Sequence, residues 1–276
     1  MISIYRISDN GYVKPKLPCA TKMVCLKNFF CVHGPIDHLI LDNCSEETTS
    51  SIESGGYARQ IHKTKLGNAQ SFLYAMDIAI GLDGPVYFVE DDYVHHGDIS
   101  AAIADGLCLG DYCTLYDHPD KYSGMYGLGE TCRVFRRNNR HWRTTTSTTM
   151  TFACMAETIR GDARIFRSVC EGRFHPNDHE IFQRLHSENG RSLVSCLPGM
   201  SMHADLTTCL SNIDTIGFEI DEGALDAVRC IAIDCIKAKR KNFDVVANDA
   251  DGVKEKLVLA HQIDSIMRET TACSQA

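Results

Sequence analysis

The chain has 276 residues, of which 44% are hydrophobic and 23% are charged, the balance of an ordinary globular protein. This length is enough for one large domain, or for one domain with an appendage. The formal net charge of −8 argues against a general nucleic-acid-binding surface, because such surfaces are basic. It still allows a compact basic cleft for one phosphorylated ligand.

The apolar segments and the cysteines of the chain indicate the cellular compartment in which we expect the protein. No apolar run approaches the roughly 18–20 residues that span a bilayer. The N-terminus, MISIYRISDN, lacks the apolar core of a signal peptide, so we expect a cytoplasmic protein without a transmembrane segment. The 14 cysteines occur singly, with no CxxC pair, and we interpret most of them as small buried hydrophobes in a reducing compartment.

Strand-like and helix-like patterns alternate along the first half of the chain. This alternation predicts a mostly parallel, doubly wound α/β sheet, because consecutive parallel strands are joined by crossover helices. Ser45 is the expected N-cap of the second helix, and Gly34 is expected to end the first. The predicted strands span 2–7, 37–43, 85–91 and 111–120, the last running into a loop, and the predicted helices span 20–34, 45–54, 67–84 and 99–110.

The second half continues with less regular patterns. Residues 121–140 are rich in Gly and Arg and are interpreted as a mobile loop, either a lid over a ligand or an ordinary flexible excursion. Beyond about residue 208 the pattern changes to two amphipathic helices, which predicts a domain over 1–207 and a helical C-terminal appendage over 208–276. The remaining predictions are a strand at 141–155, helices at 156–172 and 178–186, and a final strand and loop at 192–206.

Three adjacent carboxylates, Glu90, Asp91 and Asp92, directly follow the apolar strand PVYFV. Adjacent negative charges repel one another, so a cation or a basic group is expected to neutralise them. In sheets of this class ligands bind at the carboxyl ends of the strands, and Asp42 and Asn43 lie at another such end. The triplet therefore predicts an oxygen-ligand site for Mg²⁺ or Mn²⁺, with a solvated acidic turn as the alternative.

Five segments resemble, in chain order, elements of the GT-A glycosyltransferases. These are LILDN, KTKLGNAQSFLYAMD, VYFVEDDY (similar to the DxD element), PNDHEIF (similar to the element that carries the base) and PGMSMHAD (similar to the late histidine element). The segments IYRISD, YDHPDKY and HWRTTTSTTMTF resemble more closely a family-2-like group found in bacterial surface-polysaccharide clusters and in large algal viruses. For a viral chain the cytoplasm would be that of the host.

The resemblance implies a metal-dependent, inverting transfer of a sugar from a nucleoside-diphosphate sugar to a hydroxyl group of a glycan or other acceptor. Asp92, His203 and Glu90 are the implied ligands of Mn²⁺ or Mg²⁺, although Glu90 stands where the family usually has Asp. Asp178 is the implied catalytic base, which takes the proton of the acceptor hydroxyl. Its position at a predicted helix start also fits a capping role, with Asn177 as an alternative cap, and Glu180 is the second choice of base.

Donor and acceptor positions are also implied by the resemblance. Asp42 has an alternative role in a local side-chain turn, and Trp142, the single tryptophan, either stacks on a sugar or packs in the core. The implied donor-binding residues are Arg6, Ser8, Asp42, Asn43, Lys65, Asn68, Ser71 and Asp91, and the implied acceptor-binding residues are His141, Trp142 and Arg143.

Two other functions remain open from the sequence. A nucleotidyltransferase on a related scaffold would move a nucleotide instead of a sugar, but such enzymes usually have a Gly-rich basic loop after the first strand. The corresponding stretch, RISDNGYVKPKLP, has one glycine, which disfavours this option. A nucleotide-sugar- or carbohydrate-binding module without turnover is the other alternative.

Overall fold

The computed structural model describes residues 1–10, 20–118, 120–123 and 130–204. The C-terminal appendage predicted at 208–276, and the domain boundary that precedes it, lie outside these residues. So does most of the loop that follows the first strand, on which the argument against a nucleotidyltransferase depends.

Strands and helices alternate through the described residues. None of the helices in these ranges is both long and apolar enough to cross a bilayer. The strands are β1 Ile2–Ser8, β2 Ile36–Asp42, β3 Ala58–Thr64, β4 Pro85–Glu90, β5 Tyr93–His95, β6 Tyr112–Thr114, β7 Val134–Arg137, β8 Arg140–Thr144, β9 Phe152–Met155, β10 Leu193–Leu197 and β11 Ser201–His203. The helices are α1 Lys22–His33, α2 Glu46–Gly55, α3 Asn68–Ile80, α4 Ile99–Leu107, α5 Asp120–Ser123, α6 Ala156–Cys170 and α7 Asp178–Asn189.

One large sheet organises these elements, in the strand order β3-β2-β1-β4-β9-β6-β10-β8-β7. The pairs β3–β2, β2–β1, β1–β4 and β6–β10 are parallel. Strand β9 is antiparallel to both of its neighbours, and β8 is antiparallel to β10 and β7. All strands of this sheet except β9 and β8 therefore run in one direction, which confirms the predicted α/β fold with a mostly parallel central sheet flanked by helices.

Two apolar clusters cover the two faces of the sheet. On one face Phe72 of α3 and Phe166 of α6 pack around Phe152 of β9. On the other face Phe29 of α1 packs against Tyr87 of β4, in a cluster that also takes in α2 and α4. Burial of each such side chain contributes on the order of 1.5–3 kcal/mol, so these clusters fix the strands that carry the polar residues at the sheet edge.

The helix boundaries agree with the signals in the sequence. Ser45 is the N-cap of α2, and its side chain accepts a hydrogen bond from the backbone N–H of Thr48. Gly34 ends α1 with a φ of 95°, a conformation that favours glycine. Both predicted boundaries are confirmed.

Four strands depart from the sequence predictions. Strand β3 was not predicted, because its sequence, ARQIHKT, is mostly polar and it lies at the sheet edge. The three-residue strands β5 and β11 were not predicted either; they pair with each other outside the main sheet. The segment predicted as a mobile loop contains β7, an edge strand with alternating exposure.

The strand predicted over 141–155 is two separate strands. Strand β8 pairs with β10 and β7, whereas β9 lies between β4 and β6. The hydroxyl-rich stretch between them, from Thr145 to Thr151, is outside both strands. Ser and Thr side chains compete for backbone hydrogen bonds and so can interrupt a strand. The sequence prediction considered only the high content of β-branched residues, which is why it missed the break.

Trp142 is a core residue, which corrects its prediction as an acceptor platform. Its side chain is fully buried in the cluster beneath α4. A Cβ atom built at Gly106 of α4 would lie 2.7 Å from the Trp142 ring, so the close approach of helix and strand requires a glycine there. The ring is therefore inaccessible to a sugar.

Replacing Trp142 with alanine should lower the free energy of unfolding by about 3–5 kcal/mol, the usual cost of removing a large buried aromatic side chain. Urea denaturation followed by circular dichroism measures the change. His141→Ala, at the exposed neighbouring position, is the matched control and should alter the free energy of unfolding by less than about 0.5 kcal/mol. Equal, small effects of both substitutions would contradict the core assignment.

Candidate functional site

A cavity of about 280 Å³ opens at the carboxyl ends of β1, β2 and β4. This is the edge at which ligands bind in open α/β sheets, and it is where the sequence places the acidic triplet. Of the residues predicted to form the site, those on the cavity wall are Arg6, Ser8, Asp42, Asn68, Ser71, Glu90, Asp91, Asp92, Asp178 and His203.

Five predicted residues do not line this cavity. The Asn43 amide donates a hydrogen bond of 3.0 Å to the Asp42 carboxylate, and Lys65 is exposed on the loop that follows β3. The other three, His141, Trp142 and Arg143, belong to β8, which is separated from β4 by three strands.

Arg6 joins three elements at the floor of the cavity. Its guanidinium group is almost fully buried, and Nη2 lies 3.1 Å from Oε1 of Glu90. Nη1 donates to the main-chain and side-chain oxygens of Asn68 at 3.1 and 3.0 Å, and to Oγ of Ser71 at 3.2 Å. Arg6 therefore neutralises one of the three crowded carboxylates and fixes the start of α3 against β1 and β4.

The Asp42 carboxylate organises the loop between β3 and α3. Its two oxygens accept hydrogen bonds from the hydroxyl of Thr64 at 2.9 Å, and from the backbone N–H groups of Leu66 at 2.7 Å and Gly67 at 2.9 Å. The Asn43 amide is a fourth donor. Because protein donors already surround this carboxylate, the structure favours the local structural role over direct nucleoside contact.

Asp91 is bonded to the end of the first strand. Its Oδ2 accepts a hydrogen bond of 2.9 Å from the backbone N–H of Ser8. The carbonyl of Ser8 in turn accepts from Nζ of Lys22, which also pairs with Asp9 at 2.6 Å. Burial opposes ionisation of Asp9, but hydrogen bonds from Lys22 and Ser45 outweigh it and hold the pKa of Asp9 well below its usual value.

Asp92 and His203 are paired with each other, and both side chains line the cavity. Nε2 of His203 lies 3.2 Å from Oδ2 of Asp92, and the imidazole stacks on the ring of Tyr93 with centroids 4.9 Å apart. The pairing of β11 with β5 sets Tyr93 opposite His203. The late loop thus returns to the acidic strand end, as the sequence suggested.

This pair of side chains fits a divalent cation that is shared with a substrate. Two ligands that occupy adjacent corners of an octahedral ion at about 2.1 Å lie about 3 Å apart, close to the separation between His203 and Asp92. Among the described residues, no group of three His, Cys, Asp or Glu side chains is arranged to hold a metal alone. The remaining ligands would then come from phosphate oxygens and water, which is usual for Mg²⁺ and Mn²⁺ at phosphate sites.

The pKa of the Glu90 carboxyl is affected by burial and by the charged groups around it. Burial raises the pKa of the Glu90 carboxyl above its usual value, and the nearby charges of Asp92 and Asp178 raise it further. Arg6 and His203 act in the opposite direction. With its side chain paired to Arg6, the predicted role of Glu90 as a metal ligand stays a prediction.

Asp178 lies on the cavity wall at the first residue of α7. The N-cap is Asn177, whose Oδ1 accepts a hydrogen bond of 3.2 Å from the backbone N–H of Glu180. The Glu180 carboxylate pairs with Arg173 at 3.1 Å and is not part of the cavity wall. The geometry therefore favours Asp178 over Glu180 as a base and removes the need for Asp178 as the cap.

Arg143 is buried in a charge network, which corrects its prediction as an open acceptor ligand. Its guanidinium group lies 3.1 Å from the carboxylate of Asp117 and 2.9 Å from that of Glu130. The central carbon of the guanidinium lies 5.0 Å from the centroid of the Tyr122 ring. Burial raises the pKa of Asp117. It also raises the pKa of Tyr122 to about 12, together with the hydrogen bond to Asp117.

Several wall residues were not predicted from the sequence. Thr149 accepts a hydrogen bond of 2.7 Å from the hydroxyl of Tyr93, and the ring of His175 contacts the Asn68 amide at 3.4 Å. His175 and Pro176 are close to Asp178 in the chain, and this proximity could have identified them as wall residues. Thr149 lies in a run of Ser and Thr residues, and nothing in the sequence distinguishes it from its neighbours. The unpredicted wall residues are Ile7, Asn10, Thr149, Met150, His175 and Pro176.

Comparisons with known proteins bear on the fold. No protein-family model matches the sequence, and no curated protein matches it. The galactosyltransferase LgtC, solved with donor and acceptor sugar analogues, is 12% identical over 67% of this chain and 69% of that chain, with a TM-score of 0.41. Residues 1–349 of S. aureus TarS are 12% identical over 92% of this chain and 77% of that chain, with a TM-score of 0.45.

Nucleotidyl-transferring proteins are similar to the same degree. A putative glucose-1-phosphate thymidylyltransferase from Bacillus anthracis is 10% identical over 81% of this chain and 98% of that chain, with a TM-score of 0.44. The chain has the α/β architecture with a mostly parallel central sheet that the sequence predicted. Because the similar structures include both a galactosyltransferase and a thymidylyltransferase, they do not distinguish sugar transfer from nucleotide transfer.

Asp42→Asn should destabilise the fold by about 2–4 kcal/mol. The substitution replaces a charged acceptor with an NH₂ group that faces existing donors, and hydrogen bonds to charged groups contribute about 1.5–3 kcal/mol each. Thermal and urea unfolding measure the loss. Asp83→Asn, at an exposed turn, is the control and should have almost no effect. A fully stable Asp42→Asn protein that had lost nucleotide affinity would instead assign Asp42 to direct ligand contact.

Proposed function

We propose that this protein is a metal-dependent glycosyltransferase that moves a sugar from a nucleoside-diphosphate sugar to a hydroxyl group of a glycan, with inversion at the anomeric carbon. One observation carries the proposal: Asp178, Asp92 and His203 line the same cavity at the sheet edge, while the helix-capping role falls to Asn177. A carboxylate suited to a base therefore faces a pair of side chains suited to a diphosphate-bound metal.

The donor diphosphate would occupy the end of the cavity at Asp92 and His203. These two side chains would hold Mn²⁺ or Mg²⁺, which when bound offsets the charge that develops on the departing nucleoside diphosphate. Tyr93 keeps the imidazole in place by stacking. The nucleoside would then extend along the cavity past Arg6 and Ser8 towards Asn10.

The acceptor hydroxyl would be activated by Asp178. As the hydroxyl oxygen attacks the anomeric carbon, the bond from that carbon to the phosphate oxygen breaks, and the hydroxyl proton passes to the Asp178 carboxylate. The reacting sugar has oxocarbenium character, as in glycoside hydrolysis.

The reaction products separate this proposal from nucleotidyl transfer and from binding without turnover. A glycosyltransferase releases nucleoside diphosphate from a nucleotide sugar in the presence of an acceptor. A nucleotidyltransferase releases pyrophosphate from a nucleoside triphosphate and a sugar phosphate, and a binding module releases neither. Incubation with a panel of nucleotide sugars or triphosphates, followed by phosphorus NMR, identifies which product forms.

Asp178→Asn should lower kcat for transfer by about 10²–10⁴-fold, the usual contribution of a general base. Nucleoside diphosphate affinity, measured by calorimetry with Mn²⁺, should change little because the diphosphate end of the cavity stays intact. Glu180→Gln, two residues along the same helix, is the control and should retain most activity. Undiminished transfer by Asp178→Asn would refute its role as the base.

Asp92→Asn and His203→Ala should each weaken Mn²⁺-dependent binding of nucleoside diphosphate by about tenfold or more, a loss of ~1.4 kcal/mol. Binding measured in the presence of EDTA should be weak in the parent protein and unchanged by either substitution. Asp83→Asn serves as the charge-matched control for Asp92→Asn. Parent-like Mn²⁺-dependent affinity in both variants would show that the cation binds elsewhere.

A further inference from the structure

An exposed aromatic ring is held rigidly beside the β7–β8 hairpin. The side chain of Tyr122 is 59% exposed, yet its hydroxyl donates to both carboxylate oxygens of Asp117 at 2.9 Å. Its ring lies over the guanidinium group of Arg143, 5.0 Å from the charged carbon. An aromatic side chain fixed in this way has little conformational entropy to lose when a ligand packs against it.

The register of the hairpin places an arginine and a histidine on the same face as this ring. Val134 is opposite Arg143, and Arg136 is opposite His141. Directly paired residues, and residues two apart on one strand, share a face of a sheet. Val134 is 59% exposed, and Arg136 and His141 are also exposed, so one open face carries the apolar Val134, a guanidinium group and an imidazole ring.

Arg136 differs from its neighbours on the hairpin. Arg137 and Arg140 both pair with Asp105, at 3.4 and 3.3 Å, on the opposite face of the hairpin. Arg136 has no acidic partner among the described residues. An unneutralised surface guanidinium on a chain of net charge −8 is available for carboxylate or phosphate recognition.

A chain of contacts connects this face to the candidate base. Nζ of Lys121, the residue before Tyr122, donates a hydrogen bond of 2.6 Å to Oγ of Ser147. The same oxygen lies 3.3 Å from Nδ1 of His179, the residue that follows Asp178 on α7. The face therefore begins beside the residue proposed to activate the acceptor and continues outwards to the edge of the sheet.

The acids near this face are already engaged. Asp117 and Glu130 both pair with Arg143, and Glu130 also accepts from the hydroxyl of Thr145 at 2.8 Å. They neutralise the buried guanidinium, and Glu130 also lies near the charge of the half-buried Lys121, whereas the exposed Arg136 has no acidic partner among the described residues. An aromatic ring flanked by such cations suits a sugar that carries negative charge, because the ring packs on the sugar face while the cations bind its anionic groups.

We propose that the face formed by Lys121, Tyr122, Val134, Arg136 and His141, here called the hairpin face, binds an acceptor glycan that carries carboxylate or phosphate groups. This inference rests on the proposed function for the identity of the occupant as an acceptor. The contacts from Lys121 through Ser147 to His179 place one end of the face next to α7, the helix that carries Asp178, and Arg136 sets the preference for an acidic chain.

The test measures glycan binding apart from catalysis. Galacturonic acid hexamer, a phosphorylated maltohexaose and neutral maltohexaose are titrated into the full-length protein by calorimetry at low and moderate salt. We expect at least one anionic hexamer to bind more tightly than maltohexaose, with an affinity that falls as salt increases. Arg136→Glu should weaken that binding at least about tenfold, and Tyr122→Ala should also weaken it.

Arg164→Glu, at an exposed position of α6, makes the same change of net charge and is the matched control. It should leave binding of the anionic hexamer within about twofold of the parent. Equal losses for Arg136→Glu and Arg164→Glu would overturn the hairpin face as the site, and so would failure of both anionic hexamers to bind the parent. Vesicles of phosphatidylglycerol that bound in an Arg136-dependent manner, without glycan binding, would likewise overturn it in favour of a membrane surface.

A parallel titration with nucleoside diphosphate and Mn²⁺ separates this inference from the proposed function. Binding of nucleotide without binding of either anionic glycan would remove the inference and leave the transferase proposal intact. Arg136-dependent glycan binding without any nucleotide binding would retain the hairpin face but reject the transferase. If both ligands bind, Arg136→Glu should raise KM for the acidic acceptor and leave kcat and the donor KM unchanged.

Discussion

The buried guanidinium group of Arg6 is the interaction on which the sheet edge depends. A buried charge needs a counter-charge and hydrogen-bond partners, and the two terminal nitrogens of Arg6 have them in Glu90, Asn68 and Ser71, while its Nε has no hydrogen-bond partner among the described residues. These partners belong to β4 and α3, while Arg6 itself belongs to β1. Loss of one partner of such a pair typically costs about 3–5 kcal/mol, so the three elements are held in one relative position. That position sets the width of the cavity.

The same interaction explains how a strand can end in three adjacent acids. Glu90 is neutralised by Arg6, and Asp91 accepts the last backbone N–H of β1. Asp92 pairs with His203 from the far end of the described chain. Two of the three charges are therefore used to hold strands together, and the third faces the cavity beside an imidazole. The fold thus accommodates Glu90 and Asp91 without a cation, and Asp92 is the acid at which the proposed metal would bind.

Sequence reasoning succeeded where a signal is local and failed where it depends on tertiary contact. Apolar runs identified β1, β2 and β4, and because their parallel arrangement followed from the intervening helices, the clustering of Arg6, Asp42 and Asp92 was predictable, whereas Asp178 of α7 was implied only by the resemblance. The polar edge strand β3 lacked an apolar run. Trp142 was ambiguous for a different reason: an isolated tryptophan has the same local pattern whether it faces solvent or, as here, the backbone of Gly106.

The cavity and the hairpin face are built from different kinds of structure. Residues of the cavity wall on β1, β2 and β4 stand at the ends of buried strands, where each change disturbs the core or the ion pairs that fix it. The hairpin face uses an edge strand whose side chains alternate between exposed and half-buried, so substitutions at its exposed positions leave the core untouched. Helix α7 lies between the two, since Asp178 lines the cavity and His179 contacts Ser147. Substitutions at the exposed Arg136 or His141 would therefore alter the proposed acceptor surface while leaving the cavity wall unchanged.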